Sequence, residues 1–152
     1  MKLNLGIGSL KDTPYLYGTY QCLVCKQHNL LFPGSQIAAN QGPCNCHKKT
    51  KFGAMRVAVN GIKLDSLFEA RRFSKLAWLE AKKVISSLEV HPKFPMVINK
   101  KKICNYIADF KFIYRDETYV EDCKGKETAL FRLKKKLLEG LYPEIDLILV
   151  RQ

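Results

Sequence analysis

The chain has none of the features that place a protein in or on a membrane. None of its 152 residues lies in an apolar run that approaches the roughly 20 residues needed to cross a bilayer. The first ten residues contain no sustained apolar segment and no cleavage pattern, so we expect no signal peptide. No strongly amphipathic basic helix is available to lie on lipid. We therefore expect a soluble protein of the cytoplasm with no membrane partner.

Acidic residues are scarce relative to basic ones. The chain contains 14 Asp and Glu against 26 Lys and Arg, which gives a formal charge of +12. A positive excess of this size favours a polyanionic partner, most simply nucleic acid. The length allows one ordinary domain with its own core, or a compact domain with a small appendage.

Four of the six cysteines lie close together in the first third of the chain, a spacing more typical of metal binding than of disulfides. Cys22 and Cys25 form a Cys-x-x-Cys pair, and Cys44 and Cys46 follow after 18 intervening residues, with His47 beside them. Tetrahedral Zn²⁺ needs four such ligands from two short knuckles. We predict a structural Zn²⁺ site made by the four cysteines, with His47 as an alternative ligand. Disulfides or free thiols are the competing interpretation.

Tyr106–Phe110 and Val120–Lys124 read as two strands that form a hairpin, and this hairpin, in the last third of the chain, organises the remaining sequence. If Arg115 and Asp116 form a two-residue turn, the register places Asp109 opposite Asp122, and Lys124 projects from the same face as Asp122. A four-residue loop would place Asp109 opposite Lys124 and keep the three together. A three-residue loop without a bulge would turn one strand over and separate them.

This predicted cluster has the chemistry of a metal site. Two facing carboxylates repel each other unless a cation lies between them, and Mg²⁺ prefers oxygen ligands in octahedral geometry. The ammonium group of Lys124 can orient or deprotonate a water molecule, or stabilise a phosphorane-like transition state. The competing interpretation is a surface cross-strand pair of Asp and Lys that contributes little.

A hairpin and a helix precede these strands. Asn60-Gly61 is the strongest two-residue hairpin turn in the chain. The helix should begin at Asp65 or Ser66 and run to about Ser87, with an apolar face made by Phe73, Leu76, Ala77, Val84 and Leu88.

Glu69 falls on the apolar side of this helix, where it could reach a site. The competing interpretation is a capping box, in which Ser66 caps the helix and the Glu69 carboxylate turns back to a backbone N–H.

The elements that follow complete a mixed pattern. Residues 93–99 read as a strand in which Pro95 favours a sheet edge, and Lys100–Lys102 read as a basic turn. Thr128 should cap a second helix that runs to about Leu141, and residues 145–150 form a last strand. In the second helix we expect the apolar side chains Leu130, Leu133, Leu137 and Leu141 to face inward. We expect the basic ones to face outward, namely Arg132, Lys134, Lys135 and Lys136.

Three motifs and the α-β-β-β-α-β order of elements from residue 66 resemble a known superfamily. The motifs are Asp65-Ser66-Leu67-Phe68-Glu69-Ala70-Arg71-Arg72, Tyr106-Ile107-Ala108-Asp109-Phe110 and Val120-Glu121-Asp122-Cys123-Lys124-Gly125. They resemble the core of the PD-(D/E)XK nucleases, and more closely a small phage-associated endonuclease family of that superfamily, catalogued as a domain of unknown function. The resemblance covers about residues 55–150. It implies an α/β (α+β) fold with a restriction-endonuclease-like core around a mixed central sheet.

The resemblance also implies an activity and a set of site residues. The activity is Mg²⁺- or Mn²⁺-dependent hydrolysis of phosphodiester bonds in DNA. By analogy Asp109 and Asp122 bind the metal together with the backbone carbonyl of Cys123, and Glu69 is an outer or second-metal ligand. Lys124 positions the attacking water.

These expectations combine into one organisation of the chain. Residues 1–52 form a zinc-ribbon-like basic module and residues 53–152 a nuclease-like domain. We expect an endonuclease that nicks DNA or selects branched DNA, with the DNA backbone held by Lys100, Lys101, Lys102, Arg132, Lys134, Lys135 and Lys136. The resemblance suggests a phage-encoded protein of the infected bacterial cytoplasm and a homodimer. The alternatives are a non-catalytic nucleic-acid-binding adaptor and an RNA-directed nuclease.

Overall fold

The computed structural model describes residues 19–30, 56–124 and 127–151, which form an α+β structure with antiparallel and mixed sheets. The chain divides into two compact units, Met1–Lys75 and Leu76–Gln152. In chain order the elements are β1 (Thr19–Cys22), β2 (His28–Leu30), β3 (Val57–Val59), β4 (Ile62–Leu64), α1 (Leu67–Ala81), β5 (Ser86–Val90), β6 (Lys93–Ile98), β7 (Lys101–Ile107), β8 (Phe110–Tyr114), β9 (Glu117–Cys123), α2 (Ala129–Leu141) and β10 (Asp146–Val150).

The first unit contains a four-stranded antiparallel sheet in the order β2-β1-β3-β4. The predicted hairpin at Asn60-Gly61 is confirmed, because Val59 pairs with Ile62 and both turn residues have positive φ, 50° and 80°. A two-residue type I′ turn requires such angles, and Asn and Gly adopt them at the lowest cost. The predicted domain boundary between residues 52 and 53 lies outside the described residues.

Helix α1 begins with a capping box and ends earlier than predicted. The Glu69 N–H donates to Ser66 Oγ at 3.1 Å, as expected of an N-terminal cap. The helix ends at Ala81 instead of Ser87, because Lys83 adopts a left-handed φ of 58° and the chain then enters β5. Val84, expected on the apolar face, is exposed. The β-branched and serine residues after position 83 are weak helix formers and favour this strand.

The second unit is built on a mixed sheet in the order β10-β9-β8-β5. β10 runs parallel to β9, and the other neighbours are antiparallel. The predicted two-residue turn is confirmed, since Tyr114 pairs with Glu117 and both Arg115 and Asp116 have positive φ. The register predicted for the hairpin is therefore correct through to Phe110, which pairs with Glu121.

A second hairpin, β6–β7, separates what the sequence pattern predicted to be one strand. Strand β6 pairs with β7 alone among the described strands, which agrees with the edge position predicted from Pro95. The segment from Tyr106 to Phe110 is not continuous, because β7 ends at Ile107 and pairs with β6 whereas β8 begins at Phe110 and pairs with β9. Asp109 therefore lies in the bend between two strands.

Helix α2 has the predicted start and a different buried face. The Phe131 N–H donates to the hydroxyl of Thr128 at 3.2 Å, which confirms the predicted cap. The expectation that the leucine stripe faces inward is wrong for Leu130 and Leu133, which are 63% and 57% exposed, and also for the exposed Leu141. The buried face instead carries Leu138, in a core cluster with Phe94, Met96, Tyr106, Ala108 and Val120. Neither described helix combines the length and apolarity that a membrane span needs.

Candidate functional site

Asp109 is fixed to the strand that carries Asp122. Its backbone N–H donates to the carbonyl of Glu121 at 3.0 Å, although Glu121 already pairs with Phe110. The regular ladder therefore ends at Phe110, and the predicted pairing of Asp109 directly opposite Asp122 is not part of it. Its carboxylate atom Oδ2 accepts the backbone N–H of Cys123 at 2.5 Å. The two aspartates therefore lie at the same end of the hairpin, the end opposite the turn at residues 115–116.

Asp122 is buried and held by a tyrosine. The hydroxyl of Tyr106 donates to Asp122 Oδ2 at 2.7 Å. Oδ1 is fully buried and, among the described residues, makes no hydrogen bond of acceptable geometry, although the Nζ of Lys124 lies 2.7 Å away. A buried carboxylate oxygen with only an electrostatic contact suits a divalent cation, because it keeps lone pairs for a ligand bond.

Tyr106 stays a hydrogen-bond donor at every ordinary pH. Burial, followed by the charge of Asp122 and the hydrogen bond to it, raises the pKa of the phenol well above its usual range. Asp109 raises the pKa further. Tyr106 was not predicted as a site residue, because a tyrosine in an alternating strand looks the same as a core residue until its hydroxyl partner is known.

Lys124 is a cation within this cluster. Its Nζ lies 2.7 Å from Asp122 Oδ1 and 5.3 Å from the ring centre of Phe131. Burial alone would lower the pKa of Lys124, but the contact with Asp122 and the charges of Asp122 and Asp109 outweigh it, so the pKa is raised. The sequence left open whether Lys124 orients or deprotonates a water, and the raised pKa favours the charged, orienting role.

The structure thus brings Asp109, Asp122 and Lys124 into one cluster, because Asp122 contacts Lys124 and Asp109 accepts the N–H of the intervening Cys123. The backbone of Cys123 takes part through its N–H, which Asp109 accepts. The predicted ligand role of the Cys123 carbonyl remains a prediction.

Glu69 makes the capping contact that the competing interpretation predicts. Its Oε2 accepts the backbone N–H of Asp65 at 2.9 Å, and the residue is buried. Its predicted role as a metal ligand stays a prediction. Within the second unit, His91 and Asp109 each offer one ligand atom, and these two atoms lie within 4.8 Å of each other. Sequence reasoning missed His91, since no motif surrounds it.

Half of the predicted Zn²⁺ site lies within the described residues. Cys22 ends β1 and is buried, and its sulfur accepts the backbone N–H groups of Val24 at 3.3 Å and Cys25 at 3.4 Å. The other predicted ligands, Cys44, Cys46 and His47, lie outside the described residues.

The predicted DNA-contacting residues divide into two groups. Two of them contact other groups of the protein. The Nζ of Lys134 donates to the carbonyl of Asn105 at 3.1 Å, and the Nζ of Lys135 lies 3.7 Å from Oε1 of Glu139. The remaining five are exposed, at the tip of the β6–β7 hairpin and on α2, namely Lys100, Lys101, Lys102, Arg132 and Lys136.

Comparison with known proteins gives a family and no function. No curated protein and no solved structure matches the chain. Residues 49–152 match the family described as "Protein of unknown function (DUF1064)", a range that includes both helices and the Asp109–Asp122–Lys124 cluster. The chain therefore belongs to the DUF1064 family.

Proposed function

We propose that the chain is a Mg²⁺- or Mn²⁺-dependent endonuclease that hydrolyses phosphodiester bonds in DNA. One observation carries this proposal: Asp122 is buried in contact with Lys124, and the Asp109 carboxylate accepts the backbone N–H of Cys123, the residue between them. A carboxylate pair with an adjacent cation is suited to a divalent metal and a phosphate ester.

The order of elements supports a restriction-endonuclease-like core. The predicted order took residues 93–99 as its first strand and had three strands between the helices, whereas five strands, β5 to β9, lie between α1 and α2. If the β6–β7 hairpin is treated as an excursion, the remaining order α1-β5-β8-β9-α2-β10 again has the form α-β-β-β-α-β. Three antiparallel strands and one parallel strand, β10, then form the mixed sheet, with Asp122 near the end of the central strand β9 and Asp109 just before the central strand β8. This order is the one that the resemblance to the PD-(D/E)XK nucleases implies.

Each residue of the cluster has a role in the proposed reaction. Asp109 and Asp122 would hold the metal, which when bound lowers the pKa of a water and polarises the phosphate. Tyr106 keeps the Asp122 carboxylate in place. Lys124 orients the attacking water or offsets the negative charge that develops on phosphorus. In the reaction a bond forms from the water oxygen to phosphorus, and one ester P–O bond breaks.

The positive charge of the chain supplies affinity for a polyanion. With a net charge of +12 and exposed basic side chains at the β6–β7 tip and on α2, binding should weaken steeply as the salt concentration rises. Branched DNA as the preferred substrate, a homodimer, a phage origin and the infected host's cytoplasm are the finer parts of the proposal. They rest on the resemblance.

Cleavage assays test the proposal directly. Purified protein is incubated with supercoiled plasmid, four-way junctions, single-stranded DNA and RNA, each with Mg²⁺, Mn²⁺ or EDTA. We expect DNA cleavage with either metal and none with EDTA. Salt-sensitive binding without cleavage under any condition would instead identify a binding adaptor, and cleavage of RNA alone would identify an RNA-directed nuclease.

The Zn²⁺ part of the proposal has a separate test. Elemental analysis of the purified chain should find about one Zn²⁺ per molecule, lost in Cys22→Ser, because a tetrahedral site needs all four ligands. Cys104→Ser, which changes a cysteine of β7, is the matched control and should keep the metal. Zn²⁺ content that is unchanged by Cys22→Ser would contradict the ribbon.

A further inference from the structure

His91 lies in a strained bend that the structure holds against Asp109. It connects β5 to β6 and has a φ of 54°, in the left-handed region that non-glycine residues adopt at a cost. Its backbone N–H donates to the carbonyl of Asp109 at 2.9 Å, and the N–H of Ala108 donates to the carbonyl of Pro92 at 3.2 Å. These two bonds fix residues 91–92 to residues 108–109.

The bend places the imidazole of His91 beside the carboxylate of Asp109 in the candidate site. A ring nitrogen of His91 and a carboxylate oxygen of Asp109 lie within 4.8 Å of each other. Two ligands of one ion, each bound at about 2.1 Å, are separated by about 3 Å at right angles and about 4 Å across the ion. A small closure of the pair therefore suffices for both to bind the same ion.

An imidazole ligand changes which ion the site prefers. Mg²⁺ selects oxygen ligands and keeps its waters, whereas imidazole nitrogen binds first-row transition ions more strongly. We propose that His91 is a metal ligand together with Asp109, and that the site therefore prefers Mn²⁺ to Mg²⁺. This inference deepens the proposed function and rests on its metal site.

The alternative interpretation is that the His91 ring contacts a neighbouring carboxylate and binds no metal. Electron spin-echo spectroscopy of bound Mn²⁺ separates the two interpretations, because a coordinated imidazole gives a ¹⁴N modulation that a nearby uncoordinated ring does not. Mn²⁺ is also a suitable probe because it competes weakly for the cysteine sulfurs, which prefer softer ions.

The experiment uses the full chain as purified, titrated with Mn²⁺ alone and with Mg²⁺ alone. The test variant is His91→Asn, since asparagine tolerates a left-handed φ and should keep the bend while removing the imidazole. His28→Ala, which removes another histidine, is the control. We expect the ¹⁴N modulation in the parent and in His28→Ala, and its loss in His91→Asn.

Affinities give a second readout. His91→Asn should weaken Mn²⁺ binding by at least about tenfold, as loss of a metal ligand does, and should change Mg²⁺ binding much less. A modulation that persists in His91→Asn, or an unchanged Mn²⁺ affinity, would overturn the inference. If His91→Asn binds Mn²⁺ normally and still cleaves DNA, the nuclease proposal stands and His91 is not a ligand. If the parent shows ¹⁴N coordination but no DNA cleavage, His91 is a ligand and the nuclease proposal fails.

Discussion

Two lysine–carboxylate pairs in the second unit differ in one respect. The side chains of Lys124 and Lys111 are equally exposed, at 34% and 33%. Their partners are not, because Glu89 is half exposed at 50% whereas Asp122 is only 2% exposed. An exposed pair contributes little to stability, and burying a carboxylate costs desolvation energy that one contact rarely offsets. A buried Asp122 beside an exposed counterpart pair is what the proposed metal-binding role of Asp122 predicts.

The largest effect should come from removing the buried charge. Asp122→Asn keeps the shape of the side chain and can still accept the Tyr106 hydroxyl, so the fold should persist while the metal ligand is lost. We expect DNA cleavage to fall by at least about a hundredfold, measured as nicking of supercoiled plasmid at saturating Mg²⁺.

The matched control for this change is Glu121→Gln. Glu121 is as deeply buried as Asp122 and adjoins it in β9, but it points to the opposite face. Cleavage should survive this substitution, whatever it does to stability. Equal loss of cleavage in both variants would mean that a buried carboxylate in β9 serves the fold, and that the face it occupies is irrelevant.

The second effect compares the two lysines. Lys124→Ala should lower the cleavage rate by about a hundredfold, because the cation that orients the water is removed. Lys111→Ala removes an equally exposed lysine from the exposed pair and should change the rate less than about twofold. Single-turnover rates at fixed Mg²⁺ measure the difference, and similar rates in both variants would remove Lys124 from the mechanism.

The third effect isolates the hydroxyl that holds Asp122. The hydroxyls of Tyr106 and Tyr142 donate bonds of the same length, 2.7 Å, but Tyr142 donates to the carbonyl of Pro95. Both Tyr→Phe variants should lose about 1 kcal/mol of unfolding free energy. Only Tyr106→Phe should also weaken Mg²⁺ binding, by about tenfold in calorimetric titration. Weakened binding in Tyr142→Phe as well would point to a general loss of packing.

The smallest effect concerns pH. The pKa of Lys124 is raised above its ordinary 10.5 in the folded chain. Its contact with Asp122 therefore contributes stability that is fully present below about pH 10.5 and is lost as the pH rises through the folded pKa. Urea unfolding should show a stability difference between the parent and Lys124→Met that is constant from about pH 7 to 9 and closes in stronger alkali. A difference that widens in alkali would contradict the sign of the shift.

Local chemistry explains which parts of the fold were predictable. The Asn60-Gly61 turn and the Thr128 cap each depend on a few adjacent residues, and both were correct. Once the turn has two residues, counting outward from it gives the pairing of β8 with β9. This holds even though Arg115-Asp116 is not a favoured pair for a two-residue turn. These features need no knowledge of distant contacts.

The wrong predictions concern features that tertiary packing determines. The leucine periodicity of α2 is real, but the core takes the face that carries Leu138, so Leu130 and Leu133 remain exposed. The strand through Asp109 was predicted as continuous because its residues favour a strand throughout. It is interrupted because β7 and β8 pair with different partners.

The candidate site shows the same division. Asp122 and Lys124 were predicted on one face because side chains alternate along a strand, and Asp109 was predicted near them because it directly precedes β8, which pairs with β9. Tyr106 and His91 were missed because each reaches the site from a segment that pairs elsewhere or bends, which no local pattern reveals. The supporting residues of a site are therefore harder to predict than its central pair.

The central claim is that Asp109 and Asp122 share one divalent ion, and anomalous scattering tests it most directly. Crystals of the full chain soaked in Mn²⁺ should give an anomalous peak about 2.1–2.3 Å from a carboxylate oxygen of each aspartate. Crystals of Asp122→Asn should show a weakened peak or none. A structure in which Mn²⁺ binds only one of the two carboxylates, or neither, would contradict the account.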